Sequence, residues 1–390
     1  MNMWVTLFWI LLFLVFYSYV GYALLLGVLI RLGFKQKDDL NDPEEWPPVA
    51  LIVPCFNEAG YIEEKIENSL ALDYPGDKIE YIFISDGSSD ETPAIVKRYE
   101  GKAAAMHEDA RRGKAAAMNR AVGATTAEIL IFCDANTELN AEAVKKIARH
   151  YKSPKIGGVA GVKIIKQNEA ESASGAGEGI YWKYESTLKK WDSRFYTVVG
   201  AAGELMSYRR ALYEELPQDT ILDDFMQSMR VCEKGYRVVY EPEARAAEWA
   251  SANVEEELKR KIRIAAGGWQ SVFRLKRAGN PFFDFKLWFQ YVSHRVMRWS
   301  IGPVSFFLLV PLASFLYFSG TPGFSFFFWA MVGVYIAIAI GRILNDRKTE
   351  IKIFWVPYYF FVMNYAVVMG LFRFLKGNQS SLWERAQRAR

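Results

Sequence analysis

Two pairs of polar side chains have the residue types and spacing to act on a phosphate-bearing substrate. In the first pair, Asp134 and Asn136 lie two residues apart after the apolar run 129–133. Side-chain oxygens at this spacing in a turn can face one hard cation, and Mg²⁺ and Mn²⁺ prefer such ligands, usually shared with substrate phosphates. A plain turn at the end of a strand is the alternative, and this segment alone does not separate the two.

In the second pair, Asp223 and Asp224 are adjacent in an apolar segment where a helix is predicted to begin. Neighbouring carboxyl groups near an apolar cleft raise each other's pKa, which suits a general base. The alternative is that one of the two caps the helix, because Asp is favoured at that position.

Two further segments carry groups that suit a nucleotide diphosphate. Asp86 lies in segment 85–90, where a carboxylate can accept hydrogen bonds from a base or a ribose hydroxyl; a turn with a helix cap is the alternative. Segment 111–114 places two arginines and Lys114 before a predicted helix, and cations beside a helix N-terminus form a diphosphate site. A solvated loop is the alternative there, and the spacing is not that of a Walker A loop.

An alternation of short apolar runs and helical patterns would bring these groups together. Strands are predicted at 49–54, 81–86 and 128–134, and helices at 59–72, 92–99, 115–122 and 141–151. Such continuous apolar runs are typical of parallel strands covered by helices on both faces. The pattern predicts an α/β, doubly wound domain, in which ligands bind beyond the carboxyl ends of the strands. Asn57, Glu58, Asp86 and Asp134 all follow such ends.

Uncharged blocks towards both ends of the chain predict membrane-spanning helices. Residues 1–30, 299–341 and 353–372 contain no charged side chain. About 20 apolar residues in a helix span the hydrocarbon core of a bilayer. We expect an uncleaved helix at about 7–32 and, in the second block, two helices separated by a turn at 319–323.

Positive charges beside the predicted helices indicate which side of the membrane the middle of the chain occupies. Arg31, Lys35 and Lys37 follow the first helix and nothing positive precedes it, so the positive-inside rule places the middle in the cytosol. If the last uncharged block crosses the bilayer, Arg373 and Lys376 lie outside, against the rule. A re-entrant segment is the alternative, and both interpretations stay open.

The composition argues against several other functions. The net charge is +4 and no long basic run occurs, which gives no indication of nucleic-acid binding. Cys55, Cys133 and Cys232 are far apart in apolar contexts, as is typical of buried thiols, and the three histidines lack the spacing of a zinc site. Transporters place ionisable residues inside spanning segments, and the uncharged blocks have none. A membrane transporter or scaffold is therefore the least favoured function.

Five short motifs follow one another in a specific order along the chain. They are Pro54-Cys-Phe-Asn-Glu58, Asp86-Gly-Ser-Ser-Asp90, Arg112-Gly-Lys114, Asp134-Ala-Asn136 and Asp223-Asp224. In this order they resemble the membrane-integrated family-2 glycosyltransferases, a group that includes cellulose, hyaluronan and poly-N-acetylglucosamine synthases. The resemblance covers about 49–268 and implies a GT-A fold on the cytosolic face of the membrane.

The resemblance also implies roles for individual residues. Donor binding is implied for Pro54, Asn57, Glu58, Asp86, Lys114 and Arg263. The nucleoside would lie at Asn57, Glu58 and Asp86, Lys114 would reach its base or its diphosphate, and Arg263 could pair with the diphosphate. Asp134 would bind Mg²⁺ or Mn²⁺ together with Asn136, which replaces the second acid of the family's D-x-D motif. Asp224, beside Asp223, would deprotonate the acceptor hydroxyl, so that the anomeric configuration inverts.

One stretch departs from the family pattern. Processive members carry Q-x-x-R-W after the base, whereas here the matching residues are Arg260 to Ile264, with Arg263 kept and the Gln and Trp replaced. We predict transfer from a nucleotide-sugar, expected to be UDP-linked, to a growing cell-surface or exopolysaccharide glycan. Transfer of one sugar to a polyprenyl phosphate or another lipid-linked acceptor is the alternative, which the missing Trp favours.

The expected organisation follows from these features, with bacterial inner or plasma membrane as the expected location and membrane lipids as partners. The segments are a spanning helix at 1–34, the glycosyltransferase domain at 48–270, an interfacial amphipathic helix at 281–299, about three hydrophobic segments at 300–375 and a basic tail at 376–390. A second aromatic segment at 181–196 is also expected at the bilayer surface.

Overall fold

A computed structural model describes residues 3–166, 172–249, 254–347, 349 and 351–377. Most of the expected basic tail, from 378 onward, lies outside the described residues. The three cysteines are buried and form no disulfide with one another, as their apolar contexts predict.

A mixed sheet of eight strands forms the middle of the chain. The strands are β1 Val49–Cys55, β2 Ile79–Asp86, β3 Ala104–Glu108, β4 Ile129–Cys133, β5 Glu138–Leu139, β6 Ile156–Lys166, β7 Leu205–Arg209 and β8 Arg237–Trp249. Their order across the sheet is β3-β2-β1-β4-β7-β6-β8-β5. The first four are parallel, whereas β7 runs antiparallel to both β4 and β6.

The three predicted strands are present, and their pairing follows from their composition. Every residue of β1 and of β4 is buried, and Ile52 of β1 is in register with Ile82 of β2 and Phe132 of β4. Strands β3 and β5–β8 were not predicted, and β7 makes the sheet mixed rather than purely parallel. Strand β6 has a weak apolar pattern because it contains Gly157, Gly158 and Gly161. Glycine is required at the last two positions because an added Cβ would collide with Tyr208 or Leu205.

Twelve helices surround and extend this sheet within the described residues. Those of the middle domain are α2 Ile62–Leu70, α3 Thr92–Lys97, α4 Lys114–Gly123, α5 Ala143–Ala148, α6 Ser172–Phe195, α7 Asp223–Glu233 and α8 Val254–Arg274. The four helices predicted there, α2–α5, are present. Three of them are shorter than expected, and a 3₁₀ turn at Arg149–Lys152 continues α5.

Four helices are long and apolar enough to cross a membrane within the described part of the chain. They are α1 Met3–Arg31, α10 Ile301–Phe318, α11 Phe324–Asp346 and α12 Lys352–Leu375. The predicted turn at 319–323 does separate α10 from α11, and Gly323 precedes α11 with a positive φ of 83°. Residues Phe8 of α1 and Leu312 and Leu316 of α10 pack together, which joins the first helix to the later ones.

The remaining helix, α9 at 285–299, falls within the segment expected at the bilayer surface, and it packs against the middle domain. Asp284 caps it by accepting hydrogen bonds from the Lys286 and Leu287 amides. Leu287, Tyr291 and Trp299 are buried in the core of the middle domain, because α9 packs against that domain along one face. Similarly, Leu188 and Phe195 of α6 pack against the last third of α1.

Candidate active site

A cavity of about 620 Å³ opens beyond the carboxyl ends of β1 and β4. Eight of the ten residues predicted for the site line it: Pro54, Glu58, Lys114, Asp134, Asn136, Asp223, Asp224 and Arg263. The sheet, α4, α7 and α8 therefore bring most of the sequence motifs to one place.

The ammonium group of Lys114 lies between carboxylates from two different elements. Lys114 is the first residue of α4, and its Nζ is 2.6 Å from Asp134 Oδ1 after β4 and 3.8 Å from Asp223 Oδ2 at the start of α7. Burial acts to lower the pKa of Lys114, but Asp134, Asp223 and Asp224 together raise it above its usual value. Lys114 is therefore a permanent positive charge in the cavity.

Asp224 has the properties of a base at near-neutral pH. Burial and the adjacent carboxylate of Asp223 raise the pKa of Asp224 to about 6, although Lys114 opposes the shift. Leu222 occupies the N-cap of α7 and makes no side-chain cap, so neither aspartate caps the helix as the simpler interpretation required. Asp224 Oδ1 accepts a local hydrogen bond from the Phe225 amide at 2.7 Å.

One carboxylate oxygen of the same cluster makes no hydrogen bond to the described residues. Asp223 Oδ2 is buried and has no hydrogen-bond partner among the described residues. Burial also raises the pKa of Asp134, and Lys114 opposes that shift. Among the described residues, no group of three or more His, Cys, Asp or Glu side chains could by itself hold a metal ion.

The loop at 200–203 forms one wall of the cluster. A Cβ on Gly203 would lie 3.2 Å from Lys114 Nζ and 3.3 Å from Asp224 Oδ2, so the backbone there approaches the charged groups closely. Gly200 has a φ of +88°, and a Cβ on it would lie 2.2 Å from a ring carbon of Phe225, the residue after Asp224. Because neither glycine has a side chain, the loop can lie directly against the start of α7.

We expect Gly200→Ala to lower the free energy of unfolding by about 2–4 kcal/mol, from backbone strain and overpacking against Phe225. Thermal unfolding of the purified protein would measure the change. Gly123→Ala is the matched control, since Gly123 has an ordinary φ and nothing within 4 Å of an added Cβ. Equal stability of the two variants would show that the loop tolerates a side chain.

Two residues expected to contact the nucleoside do not line the cavity. Asp86 is completely buried, and its carboxylate accepts from the Arg112 amide at 3.1 Å, the Gly113 amide at 2.7 Å and Arg120 at 2.9 Å. In this structure it thus holds the N-terminus of α4, which carries Lys114.

Asn57 has a similar supporting place. Its φ is +53°, its Oδ1 accepts from the Ser89 amide at 2.8 Å, and its own amide donates to Ser88 at 3.0 Å. The sequence pattern marked both Asn57 and Asp86 as strand-end polar residues, and the tertiary structure directs both side chains to neighbouring loops.

The cavity also contains charged residues that no motif predicted. Glu204 follows the 200–203 loop and pairs with Lys163 at 2.6 Å, and Lys163 also contacts Glu248. Glu185 of α6 contacts Arg295 of α9, and both line the cavity. Arg373 lines it as well, from the last turn of the apolar helix α12. The one sequence feature that could have indicated these residues as part of the site is a charged side chain beside an apolar segment.

Arg260 and Arg263, in the stretch that departs from the family pattern, also line the cavity. Arg260 donates to Glu257 at 2.9 Å. Burial lowers the pKa of Arg263, and the negative charges of Asp223 and Asp224 oppose this shift.

Comparison with known proteins agrees with this geometry. Residues 50–217 match the family described as Glycosyl transferase family 2. Poly-beta-1,6-N-acetyl-D-glucosamine synthase of Staphylococcus aureus (strain MSSA476) is 28% identical over 255 residues, which are 63% of this chain and 60% of that protein. An N-acetylglucosaminyltransferase of Azorhizobium caulinodans is 26% identical over 260 residues, covering 62% of this chain and 65% of its own length.

One solved structure shares the fold along nearly the whole chain. The mannosyltransferase PcManGT from Pyrobaculum calidifontis, in complex with GDP-Man and Mn²⁺, has a TM-score of 0.72 and 24% identity, and covers 95% of this chain and 99% of its own. The matched part of this chain spans less than two thirds of the curated relatives' lengths. The sheet, the order of the motifs and the family match agree, and the chain carries a glycosyl transferase family 2 domain with a GT-A-like mixed sheet.

Proposed function

We propose that this protein transfers a sugar from a nucleotide-diphosphate donor to a hydroxyl acceptor, with Asp224 as the base. The observation that carries the proposal is the charge cluster in the cavity. Lys114 joins Asp134 and Asp223 there, beside a third carboxyl group, that of Asp224, with a pKa of about 6. A leaving diphosphate needs fixed positive charge, and an attacking hydroxyl needs a base; this cavity contains both.

The donor would lie against Pro54 and Glu58, with its diphosphate near Lys114 and Arg263. All four residues line the cavity. Asn57 and Asp86 would support donor binding indirectly, through the loops that they hold. We propose a UDP-linked donor because both curated relatives are named for N-acetylglucosamine. A GDP-linked donor is the second candidate, since the structural neighbour was solved with GDP-Man.

Asp134 and Asn136 fit a divalent cation. Their side chains offer a carboxylate and an amide oxygen, which are hard ligands. Asp223 Oδ2, which has no hydrogen-bond partner among the described residues, lies in the same cluster. PcManGT was solved with Mn²⁺. Bound here, Mg²⁺ or Mn²⁺ would neutralise charge that develops on the leaving diphosphate.

The protein's own side chains carry the proton and the charge. Asp224 accepts the proton of the acceptor hydroxyl while that oxygen forms a bond to the anomeric carbon. The bond from that carbon to the diphosphate oxygen breaks, and the diphosphate leaves with the electron pair. Lys114 and Arg263 stabilise its negative charge. Attack opposite the leaving group inverts the anomeric configuration.

The acceptor is proposed to be a growing glycan, as the names of the curated relatives suggest. A lipid-linked acceptor is the second candidate, and one observation favours it: Arg373, on a helix apolar enough for a membrane, lines the same cavity as Ile264, which stands where processive members have Trp. We further propose that the catalytic domain lies in the cytosol, at the bacterial inner or plasma membrane, since the segment after α1 carries Arg31, Lys35 and Lys37.

A donor screen with the purified protein tests the proposal. UDP-linked and GDP-linked sugars would each be supplied with Mn²⁺ or Mg²⁺, with membrane lipid extract and with oligosaccharide acceptors, and products separated by mass. Metal-dependent transfer from one donor is expected. Long polymer from that donor would support the glycan acceptor, and a single added sugar on lipid would support the alternative. Absence of transfer or hydrolysis with every donor would refute the function.

A further inference from the structure

The contacts of α12 conflict with a path straight across the bilayer. A helix of 24 residues is about 36 Å long, which is enough to cross the hydrocarbon core. If α12 began on the catalytic side and crossed, its last turn would lie roughly 30 Å from that side. At both of its ends, however, its observed neighbours lie at the catalytic end of the molecule. In its middle, Phe361 packs against Tyr335, midway along α11.

The first turns of α12 pack against the end of α11. A Cβ on Gly341 would lie 2.3 Å from the Phe354 carbonyl oxygen and 2.8 Å from Tyr358 Cβ. Gly341 lies five residues before the end of α11 at Asp346. It directly precedes Arg342, the first charged residue of α11. The start of α12 is therefore level with the charged end of α11.

The middle of α12 is level with the junction between α1 and the catalytic domain. Tyr19 of α1 donates its hydroxyl to Asn364, and its ring packs against Phe360 at 4.8 Å. The carbonyl of Tyr19 accepts at 2.6 Å from Tyr184, which belongs to α6 of the catalytic domain. Phe360 also meets Phe306, five residues after the start of α10.

The last turns of α12 pack against α8. A Cβ on Gly370 would lie 2.4 Å from Ala265 Cβ, and Phe374 stacks on Phe273 with ring centroids 5.6 Å apart. The contact between α12 and α8 is the most extensive between any two described helices. Helix α8 carries Glu255, Glu256, Glu257, Lys259, Arg260, Lys261 and Arg263. A helix with these charges belongs to the water-exposed domain, because charged groups are costly in hydrocarbon.

The outer face and the flanking charges of α12 agree with a place at the bilayer surface. Ile353, Val356, Phe372 and Leu375 are exposed and apolar, which suits contact with lipid on one side. Basic residues flank both ends: Arg342, Arg347 and Lys352 at the first, Arg373 and Lys376 at the second. If α12 does not cross, all of them lie on the same side as Arg31, as the positive-inside rule requires.

We propose that α12 lies along α8 on the catalytic side of the membrane and does not cross it. Only α1, α10 and α11, of the described helices, then span the bilayer. The last turn of α12 thereby brings Arg373 into the lining of the cavity, where its guanidinium binds a phosphate group of a substrate. This second part rests on the proposed function, whereas the path of the helix does not.

Cysteine labelling in sealed membrane vesicles tests the path. Single replacements Ser319→Cys, Thr349→Cys and Lys376→Cys place thiols in the α10–α11 turn, before α12 and after it. The native cysteines are buried, so the unmodified protein measures background. With a membrane-impermeant maleimide, we expect 349 and 376 to react from one side and 319 from the other. Reaction of 376 from the same side as 319 would overturn the proposal, whatever the outcome of the donor screen.

Arg373→Gln tests the role of the side chain, with Lys376→Gln, one turn further, as the matched control. The affinity for UDP and GDP in Mn²⁺ reports a donor diphosphate, and the KM for a polyprenyl phosphate acceptor reports a lipid phosphate. We expect a loss of about tenfold or more in one of these for Arg373→Gln and little change for Lys376→Gln. No difference between the two variants in either measurement would refute phosphate binding by Arg373.

Discussion

Replacing Asp224 by asparagine is expected to lower the rate of sugar transfer by about 10²- to 10⁴-fold, the usual contribution of a general base. The variant keeps the size of the side chain and the bond from the Phe225 amide, but it cannot accept the acceptor proton. Donor binding should change much less, because the proposed donor contacts are made by Lys114 and Arg263. Single-turnover transfer and donor KM would be measured together.

Asp219→Asn is the control for this experiment. Asp219 lies five residues earlier and makes an exposed ion pair with Arg274, so its loss should change the rate little. Transfer by Asp224→Asn at the wild-type rate would remove Asp224 from the mechanism.

The same residue predicts the dependence of transfer on pH. The base must be ionised, and burial together with Asp223 raises the pKa of Asp224 to about 6. Above pH 6 the carboxylate dominates, and below it the protonated form does. We therefore expect kcat/KM to fall about tenfold for each pH unit below 6 and to be nearly level from 7 to 8. A flat profile between pH 5 and 8 would contradict this assignment.

Asp134→Asn is expected to lower transfer by about 10²- to 10³-fold, the loss of several kcal/mol of charge stabilisation at the leaving diphosphate. The substitution removes the carboxylate that lies 2.6 Å from Lys114 Nζ and replaces a charged ligand by a neutral one. Binding of Mn²⁺, measured by electron paramagnetic resonance in the presence of UDP or GDP, should weaken in parallel.

Asp109→Asn serves as the control for metal binding. Asp109 is fully exposed and pairs with His107, away from the cavity lining. Both variants remove one acidic charge, so a general electrostatic effect would appear in both. Normal Mn²⁺ affinity and normal transfer in Asp134→Asn would exclude Asp134 as a metal ligand.

Much of the domain follows from local sequence. Strands β1 and β4 are continuous apolar runs, and β2 contains such a run at 81–84. Only burial on both faces suits such runs, so their parallel pairing could be predicted. The turn at 319–323 is likewise local, because glycine and proline end helices wherever they occur. Strands β6 and β8 could not be predicted in the same way, since glycines interrupt one and charged residues the other.

Most residues of the site could be predicted from the sequence, but the directions of their side chains could not. Eight of the ten expected residues line the cavity, because the carboxyl ends of parallel strands meet at one edge of a sheet. Asn57 and Asp86 follow the same strand ends but bond to loops instead. The direction of a side chain depends on which backbone amides lie nearby, and those amides belong to segments 26 to 32 residues away.

The sequence by itself determined the order of the motifs, the identity of the charged groups and the segments apolar enough for a membrane. These depend on residue type and short-range spacing alone. Only the tertiary structure decided that one face of α9 packs into the domain core, that Lys114 joins two carboxylates and that the last turns of α12 pack against α8 with Arg373 lining the cavity. An apolar helix can bury its surface equally well against lipid or against another helix. The choice is made by packing between residues such as Ala265 and Gly370, which lie about a hundred positions apart in the chain.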